Sequence, residues 1–172
     1  MFFTYLDELH TADILVQPSS GFLGKITAWF LGTEWVHVGM VADERQVIDC
    51  YPFKGKRLTP VSEWCGSYVL RVRDDAVAVK AAAIAAELPV RNYSIFNGIM
   101  AVWFPSTNDS LHNYRLYNCS SFVSACYRFA GLDLLPGRAD KSSLPHHFFD
   151  AEALQFAGCL ADKDSPRTDC RG

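Results

Sequence analysis

The sequence predicts an α+β domain in which an antiparallel sheet packs against helices, and three observations predict it. Three or four short β-rich segments, at 35–41, 46–51, 57–61 and 68–72, follow one another at short spacings that imply antiparallel hairpins. An alanine-rich run at 75–88, DAVAVKAAAIAAEL, has strong helix propensity and stops at Pro89. A third run, NCSSFVSACYRFA at 118–130, places residues 119, 122, 123, 126 and 130 on one helical face and ends at Gly131.

In chain order, DILVQ at 13–17 is a short apolar run bounded by Pro18-Ser19-Ser20-Gly21, which suits a buried strand followed by a turn. Apolar residues at 22, 23, 26, 29 and 30 then recur at helical spacing, with Ser19 or Ser20 as N-cap and Gly32 as the stop. The hairpin strands are divided by Asp43-Glu44-Arg45, by 52–55 and by Cys65-Gly66. Beyond the alanine-rich helix, 95–104 predicts a second helix and 105–113 a polar loop. Residues 146–157 predict a last short helix. Trp29, Phe30, Trp35, Trp103 and Phe104 read most simply as core, with a subset available to line a groove or touch lipid.

Of 172 residues, 49% are hydrophobic and 20% charged, enough apolar surface for one domain to fold without a cofactor or a disulfide. We assign 1–160 to that domain and 161–172 to a frayed tail. A net charge of −3 without a basic face argues against nucleic acid as a partner. The N-terminus meets Asp7 and Glu8 before any long apolar run, so general secretory export is not expected. The expected location is the cytoplasm, or the exterior by way of a dedicated secretion system. The longest apolar stretch is about half the ~20 residues of a spanning helix, so no transmembrane segment is expected. Six scattered cysteines do not define a disulfide framework, and free thiols are expected.

Cys119 opens a helix, where backbone N–H groups lack partners and the helix dipole is positive; both favour the thiolate and can stabilise an oxyanion. A thiolate nucleophile needs a proton acceptor on a rigid element. His37 stands alone among Val36, Val38 and Met40 on the first hairpin strand. Asp49, on the next strand, is the candidate orienter of the imidazole. Facing residues of that hairpin need an even index sum, which a three-residue loop at 42–44 supplies; a tight turn at Asp43-Glu44 would turn Asp49 away unless a bulge restored it. Gln17 and Ser120 are candidate oxyanion or substrate-binding groups. Cys126, two turns further along the helix, reads as core. His112, His146 and His147 have no cysteine partners at metal spacing, so no metal site is expected.

Together, WVHVGMV, QVIDCYP, KRLTPVSEW and YNCSSFVSACYRFAG resemble the circularly permuted branch, of the YiiX/YaeF type, of the NlpC/P60 superfamily of papain-like hydrolases. The resemblance spans most of 12–158. It implies a papain-like fold with the nucleophile at a helix N-terminus, and permutation accounts for the order His37, Asp49, Cys119. Motifs of the family look like His37-Val38-Gly39, Ile48-Asp49-Cys50 and Asn118-Cys119-Ser120, with Asp at 49 where Glu is commoner. The implied activity is a cofactor-independent cysteine hydrolase acting on an amide in peptidoglycan peptides, as an amidase or endopeptidase. An antibacterial effector of this kind would have a cognate inhibitor or immunity protein. Asn-Cys followed by Phe-Val also resembles the lecithin:retinol acyltransferase-like relatives, which implies an acyl-ester, lipid or thioester substrate. A catalytically silent binding module is the third expectation.

Overall fold

The computed structural model describes residues 3–52, 54–90, 92–93 and 116–162. Strands β1 (Phe3–Tyr5), β2 (Ile14–Pro18), β3 (Trp35–Asp43), β4 (Gln46–Tyr51), β5 (Gly55–Pro60), β6 (Tyr68–Val72) and β9 (Leu154–Ala161) form one sheet in the order β1-β9-β6-β2-β3-β4-β5. Every pairing is antiparallel except β1 with β9, so the sheet is mixed. Two short strands, β7 (Asn92–Tyr93) and β8 (Leu116–Tyr117), pair in parallel beside it. The α-helices among the described residues are α1 (Gly21–Leu31), α2 (Asp75–Glu87) and α3 (Cys119–Ala130).

Alternation along the strands splits the apolar residues between the two faces of the sheet. Ile14, Val16, Val38, Met40, Ile48 and Cys50 join Ala81, Phe122 and Cys126 in the core under α2 and α3. Leu15, Val41, Val47, Val69 and Leu160 meet Trp64 on the opposite face. Local sequence sets the helix ends: Asp74 accepts from the N–H groups of Ala76 and Val77 at the start of α2. At the other end, Lys56 of β5 donates to the carbonyls of Ala85, Ala86 and Leu88 at 2.7–3.2 Å. A lysine there satisfies carbonyls that have no helical partner and complements the negative end of the helix. Lys56→Met is expected to lower stability by about 1 kcal/mol in urea denaturation, and an unchanged midpoint would refute the cap.

Five expectations need correction. The segment 68–72 does not continue the run of hairpins: β6 pairs with β2 and β9, with three strands between it and β5 in the sheet, because the turn Val61–Trp64 carries the chain off the β5 edge. Residues 154–161 form β9, not a helix, and the only helical structure nearby is the short 3₁₀ segment Pro145–Asp150. Its strand pattern is masked by Ala157 and Gly158 beside a register shift on β6. Trp29 and Phe30 are not core: Trp29 is 84% exposed and Phe30 also faces outward. Their helical spacing is real, but α1 rests on the sheet through a small contact and leaves its apolar side open. The sheet is mixed because β1 runs parallel to β9, a pairing with no local signature. Finally, Cys50, Cys65, Cys119 and Cys126 are free thiols, whereas Cys159 is disulfide-bonded. Spacing in the sequence carries no information on that pairing. The helix expected at 95–104, Trp103, Phe104, His112 and the tail from 163 lie outside the described residues.

Candidate active site

Asn118 fixes where α3 begins. Its Oδ1 accepts from the Ser121 N–H at 2.7 Å, and Ser121 Oγ accepts from the Asn118 N–H at 2.9 Å, a reciprocal cap. The helix therefore starts at Cys119, and the N–H groups of Cys119 and Ser120 have no intrahelical acceptor. The motif Asn-Cys-Ser-Ser is thus a local instruction to place a thiol in the first turn.

Two irregularities in β3 set the position of His37. Pairing with β2 shifts between Gln17↔His37 and Pro18↔Trp35, which leaves Val36 as an extra residue just before the histidine. Pairing with β4 shifts between Val41↔Val47 and Asp43↔Gln46, across a tight turn at Glu44-Arg45, with Ala42 as the extra residue. The tight turn alone would give an odd index sum; the bulge at Ala42 restores the even one, so Gly39 lies opposite Asp49. His37 and Asp49 then share a face diagonally across the hairpin, with Asp49 Oδ2 2.6 Å from His37 Nε2.

The pairing of β3 with β4 goes no further than Gly39↔Asp49. Past that point the Val38 N–H and the His37 ring both come within electrostatic reach of the sulfur of Cys119 and favour its ionised form. With Nε2 on the carboxylate, Nδ1 is the ring nitrogen left for the sulfur. All three groups are shielded from solvent: His37 is 8%, Cys119 5% and Asp49 0% exposed.

The electrostatics follow from that burial and from the partners. Burial alone would lower the His37 pKa, but the charge of Cys119 and the hydrogen bond to Asp49 outweigh it and raise the value to about 9. Burial would raise the Cys119 thiol, yet the imidazolium charge and the Val38 N–H draw it below the ordinary thiol value. The pair favours thiolate and imidazolium. Burial also works against the Asp49 carboxylate, and the hydrogen bonds from His37 and Arg57 reverse that and hold it below the usual range.

Arg57 is the residue that sequence reasoning missed. It grips Asp49 with two prongs, Nε to Oδ1 at 2.7 Å and Nη2 to Oδ2 at 2.9 Å, and lies 3.9 Å over the Tyr51 ring. Its signal was available, since Arg57 stands directly across the β4–β5 hairpin from Asp49 as an opposite-charge pair. Tyr51 meets the His37 ring edge-on, and Trp64 stacks on it at 5.3 Å and 24°. Trp64 is pinned by its Nε1–H to Thr59 Oγ1 at 2.9 Å. Gly39 makes room for it, because a Cβ there would come within 2.7 Å of both the indole and Val47. The glycine two residues after the histidine is therefore a packing requirement of the histidine's own platform.

Of the remaining candidates, Gln17 is half-buried opposite His37 on β2 and is not among the described residues lining the groove beside Cys119. Ser120 does line it, with Oγ 3.9 Å from the sulfur. That groove has a volume of about 430 Å³. One wall is the open side of α1, through Ile26, Trp29 and Phe30, and Cys119, Leu144 and Pro145 also line it. Cys119 apart, no ionisable side chain among the described residues lines it. A larger hollow of about 710 Å³, around Arg138, His147 and Asp150, shares no lining residue with it. Among the described residues, no three His, Cys, Asp or Glu side chains converge as a metal site, and no helix is long and apolar enough to cross a membrane.

No family model and no curated protein sequence matches the chain. Among solved structures, it is similar to the crystal structure of the metalloprotein yiiX from Escherichia coli O157:H7, DUF1105. The two are 18% identical with a TM-score of 0.63, over 87% of this chain and 97% of that one. The likeness concerns the fold, and the α+β, papain-like class read from the sequence is the class the protein adopts.

Proposed function

We propose that the protein is a cysteine acyl hydrolase of the permuted papain-like kind, with Cys119 as nucleophile, His37 as acid and base, and Asp49 as the group that orients the imidazole. The observation carrying this reading is the continuous chain of contacts from the Cys119 sulfur through His37 and Asp49 to Arg57, built at a helix N-terminus. The order of these residues along the chain and the likeness in fold to yiiX both support it.

The thiolate attacks the acyl carbonyl carbon, and the carbonyl electron pair moves onto oxygen beside the free N–H groups of the first turn. Collapse of that intermediate expels the leaving group, which takes the imidazolium proton of His37. A water then enters, gives a proton to the neutral imidazole and attacks the thioester. The acid leaves, and the thiolate–imidazolium pair is restored. Asp49 keeps the ring turned towards the sulfur throughout, and Arg57 keeps Asp49 ionised and aligned.

For the substrate, the lining of the groove favours one of the two readings that the motifs allow. A muropeptide carries carboxylates and amines, and among the described residues the wall offers them no ionisable partner besides Cys119. A hydrocarbon chain, by contrast, matches Ile26, Trp29, Phe30 and Leu144. The substrate is accordingly an ester, thioester or amide of an apolar acyl chain. Each buried methylene contributes about 0.8 kcal/mol, so three of them favour p-nitrophenyl octanoate over the acetate by roughly 50-fold in kcat/KM. Equal rates for the two esters would contradict the groove assignment. Incubation of wild type and Cys119→Ala with phospholipid vesicles and with purified sacculi, followed by mass analysis, tests the class directly. Fatty acid released by wild type alone is the expected product; muropeptide fragments would instead establish a cell-wall amidase. A binding module would yield neither, and its Cys119 would react no faster than an ordinary buried thiol.

A further inference from the structure

We propose that Ser143 supplies the side-chain hydrogen bond that holds the substrate's acyl oxygen at Cys119, a step that rests on the acyl-transfer reading above. Ser143 follows the short 3₁₀ turn Asp140–Ser142, and that turn is fastened to α3. Asp140 Oδ1 accepts from Ser124 Oγ at 2.7 Å and from Arg128 Nε at 3.2 Å, both on the helix that begins with Cys119. The Ser143 N–H donates to the Asp140 carbonyl at 2.9 Å, and the next residue, Leu144, donates its N–H to His147 Nδ1 at 3.0 Å. The backbone around Ser143 is therefore settled, and its position relative to the nucleophile is set by one rigid helix.

Its side chain is not settled. Ser143 is fully buried, its Oγ has no hydrogen-bond partner, and it lines the groove into which Cys119 opens. A buried hydroxyl without a partner costs about 1–3 kcal/mol, so folding alone gives no reason to keep one there. Among the described residues, Ser67 Oγ and His146 Nδ1 are in the same condition, and neither residue lines the groove. Of the other polar side chains lining the groove, Thr27 stands on α1, Asn118 Oδ1 is committed to the helix cap, and Ser120 Oγ lies beside the sulfur. A serine hydroxyl turns about one bond, so it can face an oxygen that enters the groove without any movement of the backbone.

During attack, the hydroxyl stays protonated and donates to the acyl oxygen, whose charge grows as the carbon–sulfur bond forms and falls again as the leaving-group bond breaks. Ser143 thus joins the first-turn N–H groups of α3 and adds a donor beside a nucleophile that is largely shielded from solvent. It also selects for a carbonyl in an otherwise apolar groove.

The test uses two reactions of Cys119 in the full chain. Acylation by p-nitrophenyl octanoate, read as the burst of p-nitrophenol, passes through an oxyanion; alkylation by iodoacetamide does not. Ser143→Ala is expected to slow the burst by 10–100-fold, to leave alkylation unchanged, and to leave the melting temperature unchanged or higher. Ser143→Cys, a weaker donor of similar size, is expected to fall between the two. A burst as fast in Ser143→Ala as in wild type would overturn the proposal. So would equal slowing of acylation and alkylation together with a lower melting temperature, the mark of a structural role. Absence of any Cys119-dependent burst in wild type would remove the acyl-transfer reading itself, and the Ser143 assignment with it.

Discussion

In a His37→Ala variant, Cys119 is expected to lose about 100-fold or more of its alkylation rate at pH 6.5, and turnover is expected to fall by roughly 10³–10⁴-fold. The sign follows from what holds the thiol ionised. In the wild type, the imidazolium keeps its proton up to about pH 9, and its charge draws the Cys119 pKa below the ordinary thiol value despite burial. Between those two values the pair is thiolate and imidazolium, and alkylation proceeds at neutral and mildly acidic pH. Without His37, burial is the dominant influence left, and it pushes the thiol above the ordinary value of about 8.5. The midpoint of the alkylation profile therefore moves up, and at pH 6.5 the thiolate fraction drops to roughly one per cent or less. Turnover suffers further, because the leaving group has lost its proton donor. Wild-type turnover should in turn decline above about pH 9, as His37 loses the proton that it must give. An alkylation profile identical in wild type and variant would show that the ring does not control the sulfur.

Gly39→Ala is expected to destabilise the fold by about 1–3 kcal/mol and to cut turnover at the same time, although residue 39 carries no side chain and touches no substrate. The new methyl would come within 2.7 Å of the Trp64 indole and of Val47, and neither is free to withdraw. Trp64 is held by its hydrogen bond to Thr59, and Val47 belongs to the core on that face. If the indole shifts, the surface that His37 stacks on shifts with it, and the 2.6 Å bond to Asp49 and the contact with Cys119 lose their alignment. Trimming the opposing ring tests the cause: in Gly39→Ala/Trp64→Leu, the clash is relieved, so the stability losses should combine to less than their sum. Additive losses would mean that the methyl acts elsewhere, through the strand backbone.

Much of this was legible along the chain, and the reason is locality. Strands β2, β3, β4 and β6 were set by β-rich runs between turn residues, α2 by an alanine-rich run before a proline, and α3 by a cap, an apolar stripe and a glycine stop. Each of these signals acts over a few residues, and so does the placement of Cys119 in a first turn. The strand β9 was lost because its pairing partners, Phe3–Tyr5 and Tyr68–Val72, are far away in sequence and its own small residues look indifferent. The outward face of α1 was lost for a related reason: helical spacing identifies a stripe but does not say whether anything covers it.

What the sequence by itself determined was the chemistry available and its local setting: a thiol at a helix start, an imidazole on an apolar strand, a carboxylate on the next. Only the tertiary structure decided that they act on one another. The tight turn at Glu44-Arg45 would have pointed Asp49 away, and the single extra residue Ala42 brings it back to the face of His37. The opening of β3 from β4 beyond Gly39 then allows the Cys119 sulfur to reach the imidazole. Register and strand separation arise from packing against the rest of the sheet and α3, a sum of contacts between residues distant in the chain, which no local pattern encodes.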